Sequence, residues 1–289
     1  MPVVSAAEFL KAARKGGYAV GGYNTNNLEW TQAILEAAEA KKAPVLIQTS
    51  MGAAKYMGGY KLAVNMINDL VESMNITVPV AIHLDHGDYE AALACIEAGY
   101  TSVMFDGSHL PFEENLKLAK DVVAKAHAKG ISVECEVGSI GGEEDGIIGA
   151  GELADIEECK QMVATGIDYL ACGIGNIHGV YPENWQGLAF DHLQEIADAV
   201  GHDVPLVLHG GSGIPKEQIQ KAISMGVSKV NVNTEFQLSF AKATREYIEA
   251  GKDQEGKGFD PRKLLAPGKA AIVKDAEEHI DWFGSANKA

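Results

Sequence analysis

An α/β fold, specifically a (β/α)8 TIM barrel with an extra C-terminal helical segment, is what this sequence predicts. Three features point to it. Eight short runs rich in β-branched and apolar residues recur along the 289 residues. Longer stretches with helical periodicity separate them, and such alternation means a parallel sheet with helices outside. No long linker or low-complexity stretch divides the chain, so residues 1–289 are expected to form one barrel domain.

The strand candidates are YAVGGYN (18–24), PVLIQTS (44–50), VPVAIHLDH (78–86), TSVMFDGS (101–108), ISVECEVG (131–138), DYLACGIG (168–175), VPLVLHGG (204–211) and SKVNVNT (228–234). Between them, NNLEWTQAILEAAEAKK (26–42) places Leu28, Ala33, Ile34, Ala37 and Ala38 near one stripe. FEENLKLAKDVVAKAHAKG (112–130) runs from acidic to basic and ends in glycine, as the helix dipole and C-cap favour. The N-terminal MPVVSAAEFLKAARKGGYAV carries Glu8 and lacks a signal-peptide pattern, so it reads as a short capped helix. After residue 250 comes a Gly/Lys/Asp-rich connection and an extra helix.

Charge and composition exclude several functions. A formal net charge of -16 argues against nucleic acid as a partner, because phosphate backbones require clustered Lys and Arg. An anionic substrate would need a local remedy, such as a metal, helix N-termini or a few placed cations. No segment approaches the length of a membrane-spanning apolar helix, so no membrane role is expected. Cys95, Cys135, Cys159 and Cys172 show no C-x-x-C spacing and read as buried thiols of a reducing compartment, which makes a cytoplasmic location the expectation.

In a barrel, functional residues sit at the C-terminal ends of the strands. Those ends carry Asn24, Ser50, Asp85, His86, Asp106 and Ser108 on the first four strands. Glu134, Glu136, Asn176, His178, His209, Asn231 and Asn233 follow on the last four. So many polar outlets at one mouth indicate an active site. His86, His178 and His209 could converge as a catalytic Zn2+ site or act separately as hydrogen-bonding groups. His127, His192, His202 and His279 suit a surface position.

Within A-I-H-L-D-H-G (81–87), strand alternation puts His83 and Asp85 on one face and His86 on the other. The chain must therefore turn at Asp85–His86, where Gly87 permits it. His83, one step deeper, is expected to fill a core layer or support the site from behind. Glu134 and Glu136 share a face and are expected inside the barrel, paired, protonated or metal-bound. The segment GSIGGEEDG (138–146) has the composition of a mobile lid carrying carboxylates or, equally, of a solvated acidic loop. H-G-G-S-G-I-P (209–215) and N-V-N-T-E (231–235) each end a strand and open a helix, the position where barrels place phosphates. The backbone N–H groups of Gly211, Ser212 and Gly213 are candidates for such a contact. No strand ends in a lysine, and Lys229 lies at the N-terminal end of strand eight, so a metal is a better electron sink than a Schiff base.

The motifs GYNTNNLE, AIHLDHG, VECEVGSIGGEED, NIHGVY, LHGGSGIP, KVNVNTE and DPRK, in this order along essentially the whole chain, resemble those of class II fructose-bisphosphate aldolases. The resemblance implies a metal-dependent lyase that cleaves fructose 1,6-bisphosphate reversibly to dihydroxyacetone phosphate and glyceraldehyde 3-phosphate in glycolysis and gluconeogenesis. It implies that His86, His178 and His209 hold Zn2+, with Glu136 and Asp106 able to hold or pass on a cation. Asp85 would be the acid/base at the C4 hydroxyl. Glu144 or Glu143 would exchange the proton at C3, with Glu144 favoured. Asn24, Ser50, Gly179, Gly210, Gly211, Ser212, Asn231, Asn233 and Thr234 match substrate contacts, with a monovalent cation (Na+ or K+) nearby. Arg262 matches an arginine for the distal phosphate that reaches a neighbouring subunit's site in a homodimer or homotetramer. One departure stands out: many relatives carry lysine after H-G-x-Y, where this chain has Pro182.

The nearest alternative is a tagatose-bisphosphate aldolase. Relatives with that preference tend to read N-V-A-T, so Asn233 favours the fructose epimer. A barrel metallohydrolase is disfavoured because strand one lacks H-x-H, and a non-enzymatic binding protein is disfavoured by the polar strand ends.

Overall fold

The computed structural model describes residues 2–144, 147–149 and 151–289; for residues 143, 144 and 147–149 it describes the backbone alone. Eight parallel strands close into a barrel. They are β1 (Val20–Asn24), β2 (Val45–Thr49), β3 (Val80–Gly87), β4 (Ser102–Phe105), β5 (Ser132–Val137), β8 (Tyr169–Cys172), β10 (Leu206–Leu208) and β11 (Val227–Val232), in that order around the ring, with β11 pairing back onto β1. Each falls within a predicted run, give or take a residue. Three further strands stand above the mouth: β6 (Gly141–Glu144), β7 (Ile147–Gly149) and β9 (Ile177–His178).

Helices follow the strands on the outside: α2 (Leu28–Lys41), α3 (Met51–Met57), α4 (Tyr60–Ser73), α5 (Tyr89–Ala98), α6 (Phe112–His127), α7 (Ile156–Val163), α8 (Phe190–Val200), α9 (Lys216–Ser224) and α10 (Thr234–Glu249). Their starts are written in the sequence. The side chains of Asn27, Ser50, Asp88 and Asp155 each accept a backbone N–H of the first helical turn, a contact typically worth ~1 kcal/mol. The main core lies between this helix layer and the outward faces of the strands.

The two ends of the barrel are built differently. At the N-terminal end, α1 (Ala7–Gly16) closes the opening: Phe9, Leu10 and Ala13 pack with the inward-facing Val20, Leu46, Ala81, Tyr169 and Val207. The C-terminal end is left to polar side chains. The extra C-terminal segment comprises α11 (Pro261–Leu264) and α12 (Ala266–Phe283), and α12 packs across α2 and α10.

Three expectations need correction. The acidic glycine-rich segment is a β-hairpin and not a loop: β6 pairs antiparallel with β7, and on its other side parallel with β9. The sixth barrel strand ends at Cys172, so His178 belongs to the separate strand β9 and is carried to the mouth by its pairing with the hairpin. His279 is not at the surface. It is 1% exposed on α12, donates Nδ1–H to the Asp275 carbonyl at 2.7 Å, and has Nε2 3.3 Å from Glu235 Oε2, because α12 is covered by its neighbours on this side.

Candidate active site

The alternation of β3 places His83 and Asp85 inside the barrel, and the strand then changes course. His86 adopts φ 47°, and the pairing of β3 with β4 shifts register between Leu84 and Gly87. The turn therefore falls on the histidine itself, within the Asp85–His86 step where it was expected. A left-handed conformation at a non-glycine residue is costly and is found mostly where the side chain is needed in one place. Gly87 is needed for a different reason: a Cβ there would come within 2.3 Å of Leu84 Cδ2 and 3.1 Å of the Met104 carbonyl.

The turn carries the His86 ring toward two others. Ring centroids are 4.5 Å apart for His86–His209, 4.8 Å for His86–His178 and 5.8 Å for His178–His209. One nitrogen from each ring lies within 4.8 Å of the others. Two carboxylates fix which nitrogens face inward. His86 Nδ1 is 2.7 Å from Asp106 Oδ2, and His209 Nε2 is 2.8 Å from Glu134 Oε1. A carboxylate only accepts, so both of these nitrogens carry hydrogen. His86 Nε2 and His209 Nδ1 are left facing each other at 2.8 Å. In neutral rings these are two lone pairs, an arrangement that requires a proton or a metal ion between them. The donor set fits Zn2+, for which three histidines backed by carboxylates are a familiar combination. The titration behaviour agrees. Burial lowers His178 and His209, and the proximity of His86 lowers them further. Burial also opposes charge on His86, but Asp106 and Asp85 outweigh it and raise His86 well above its ordinary value.

A second group, His86, Asp106 and Glu136, also brings one ligand atom from each residue within 4.8 Å of the others. Glu136 is buried, its Oε2 has no hydrogen-bond partner, and burial plus the nearby Asp106 push its carboxyl well above the ordinary range. A buried carboxyl oxygen with no donor suits a proton or a cation.

Asp85 is 2% exposed and held from two sides. Asn24 Nδ2 donates to Oδ2 at 2.8 Å, and Asn231 Nδ2 donates to Oδ1 at 3.1 Å. Burial disfavours its charge, yet His86, His209 and Lys229 outweigh that and keep it an anion. Gln48, which the sequence reading passed over, donates to Asn24 Oδ1 at 3.1 Å and so orients the amide that orients Asp85. Alternation along β2, which puts Leu46, Gln48 and Ser50 on one face, was the available signal.

A cleft beside these groups is lined by Asn24, Asp85, His178, Gly179 and Gly210, and on its far side by Ser212, Asn231, Asn233 and Thr234. No lysine or arginine is among them. Ser212 Oγ accepts the N–H groups of Asn233 and Glu235 at 3.1 and 3.2 Å, joining the loop after β10 to the start of α10. Gly211 does not offer its N–H to a ligand, because it donates to the Asn231 carbonyl at 2.8 Å. The Ser50 hydroxyl caps α3, accepting from Ala53 N at 3.2 Å, and does not line the cleft. Arg262 is also elsewhere: its side chain is 88% exposed on α11 and forks onto Asp260. Glu143 and Glu144 lie on β6, hydrogen-bonded neighbour of the strand that carries His178, but their side chains fall outside the described residues.

The remaining inward polar groups lie deeper. His83 Nδ1 is 2.6 Å from Ser102 Oγ, which in turn meets the Tyr169 hydroxyl. Burial lowers His83 to about 4, so it is neutral. Lys229 is also here, fully buried on β11. Its place on the face shared by Asn231 was legible from alternation.

Comparison with known proteins places the chain in a family. The family described as fructose-bisphosphate aldolase class-II matches residues 4–288. A fructose-bisphosphate aldolase of Streptococcus pneumoniae is 71% identical over 295 residues, covering 100% of both chains. One from Streptococcus pyogenes is 69% identical over 294 residues, again covering 100% of both. Among solved structures, a candidate fructose-1,6-bisphosphate aldolase from Coccidioides immitis superposes with a TM-score of 0.87 at 35% identity, covering 98% of this chain and 97% of that one. With the family matched over nearly the full length and the barrel shared with a solved relative, the chain belongs to the class II fructose-bisphosphate aldolase family.

Proposed function

We propose that this protein cleaves fructose 1,6-bisphosphate reversibly to dihydroxyacetone phosphate and glyceraldehyde 3-phosphate, with a divalent metal held by His86, His178 and His209. The observation that carries this is the pair of imidazole nitrogens facing each other at 2.8 Å, each fixed from behind by a carboxylate, with the braced Asp85 anion beside them. A metal held there would polarise the substrate ketone and stabilise the negative charge that develops when the C3–C4 bond breaks.

The protein's own groups supply the rest. Asp85 accepts the C4 hydroxyl proton as the bond breaks, releasing the aldehyde. Asn24 and Asn231 hold both of its oxygens, so it enters the reaction oriented and ionised. Glu144, or its neighbour Glu143, returns a proton to C3 from the hairpin above the mouth. The ketose phosphate lies against Gly179, Gly210 and Ser212, with Asn233 and Thr234 at the start of α10. That helix N-terminus would balance its charge together with a bound monovalent cation, since no lysine stands at Pro182. Glu136 and Asp106 provide a second resting place for a cation. Arg262 serves the distal phosphate in a neighbouring subunit of a homodimer or homotetramer, and Ser50 lies at the edge of the site. The chain works as one domain, in the cytoplasm.

Asn233 lines the cleft and supports fructose over the C4 epimer. Coupled assays on fructose and tagatose bisphosphates should show faster turnover of the former. Borohydride added with substrate should leave the protein active and unmodified. Trapping of a lysine adduct would overturn the metal mechanism.

A further inference from the structure

Lys229 is 0% exposed inside the barrel, and no step of the proposed reaction uses it. A buried ammonium persists only if it is paired. Its Nζ lies 2.6 Å from Glu134 Oε2 and 3.3 Å from His83 Nε2. The other oxygen of the same carboxylate, Glu134 Oε1, is 2.8 Å from His209 Nε2. Glu134 is itself 0% exposed; among the described residues its Oε2 meets Lys229 and, at 3.3 Å, His83 Nε2, while Oε1 meets His209. From below, His83 is held by Ser102 at 2.6 Å.

The division of the carboxylate is the informative feature. With Lys229 on Oε2, Oε1 is turned to the imidazole N–H of His209. That contact places hydrogen on Nε2 and leaves Nδ1 directed at His86. We propose that Lys229 is a positioning residue for the metal site: it aims Glu134 at His209 and thereby fixes the tautomer and ring orientation of that ligand. Strands β11 and β5 contribute Lys229 and Glu134 to this line, and His209 follows directly after β10. This role of Lys229 rests on the reading of His209 as a metal ligand.

The test is zinc affinity, measured by competition with a chromophoric chelator, together with the visible absorption spectrum of the cobalt-substituted protein and the Tm of the metal-free protein. The variants are Lys229→Met, Glu134→Gln and the double. Each single change is expected to weaken zinc by about 10- to 100-fold and to alter the cobalt spectrum, as loss of a group behind a ligand does. The double variant is expected to be no weaker in zinc affinity than the weaker single, because both act through one contact. Should Lys229→Met fail to fold with an unpaired carboxylate buried, the double variant, which leaves no unpaired charge, carries the comparison with wild type. A lower Tm with wild-type zinc affinity and an unchanged cobalt spectrum would make Lys229 purely structural and overturn the proposal. Failure of the wild-type protein itself to bind zinc would instead overturn the reading of the histidines as ligands.

Discussion

Two sets of polar side chains occupy the same barrel interior, one deep and one at the mouth, and they differ in how fully they are matched. In the deep set, His83, Ser102, Ser132, Tyr169, Glu134 and Lys229 bond to one another, and none has a buried side-chain atom left over. At the mouth, Gln48 Oε1, Glu136 Oε2, Asn231 Oδ1 and Asn233 Oδ1 are buried without a partner. A backbone outlier sits there too, at His86. An unmatched buried polar atom costs about 1–3 kcal/mol, so a fold that carries several in one place has them there for something other than stability. The deep set holds the barrel and backs His209, while the mouth is arranged for ligands the chain does not itself supply.

The comparison can be broken by substitution. The largest effect is expected at the mouth: Asp85→Ala should lower kcat by about 10²–10⁴-fold, with zinc content measured by atomic absorption unchanged. Loss of the metal in that variant would make Asp85 a structural member of the cluster. A contrasting result is expected from the deep set. Tyr169→Phe removes the hydroxyl shared with Ser102 and Ser132 and should cost about 1 kcal/mol in denaturant titration, with kcat/KM within about twofold of wild type. A large loss of kcat/KM there would erase the distinction between the two sets.

The smallest effect lies outside both. Glu39, at the end of α2, accepts the N–H groups of Thr77 and Val78 at 2.7 and 3.3 Å and the Thr77 hydroxyl at 2.8 Å, and pairs with Lys42. Burial opposes its charge, but these contacts outweigh it and hold the carboxyl at about 2, below the ordinary 4.5. A depressed carboxyl stabilises the fold above its unfolded pKa and loses that contribution as pH falls through its folded one. Glu39→Gln should therefore lower Tm by about 2 °C at neutral pH, and the gap to wild type should close between pH 4.5 and 2. Activity per folded molecule should not change.

The sequence made the barrel legible because every strand carries a β-branched run and every crossover a helical one. His86, His178 and His209 could be singled out because barrel chemistry collects at strand ends. What was hidden depended on three dimensions. The turn of β3 at Asp85–His86 was foreseeable, but not that a Cβ on the next residue, Gly87, would collide with Leu84 and the Met104 carbonyl. The hairpin of β6 and β7 escaped notice because GGEED has turn composition, and its pairing with the His178 strand is a contact between distant segments. Lys229 and Gln48 were readable by strict alternation with Asn231 and Ser50. Barrel chemistry at the strand ends does not point to them, whereas a buried polar group can act from a layer below. His279 looked solvated because nothing local reveals that α12 is covered.

The most direct measurement is a zinc titration of chelator-treated protein, following triose phosphate release from fructose 1,6-bisphosphate. Cleavage should be absent without metal and return in proportion to added zinc, reaching its plateau at about one ion per chain, as a single three-histidine site requires. Cleavage at the full rate in protein shown to be free of metal would contradict it.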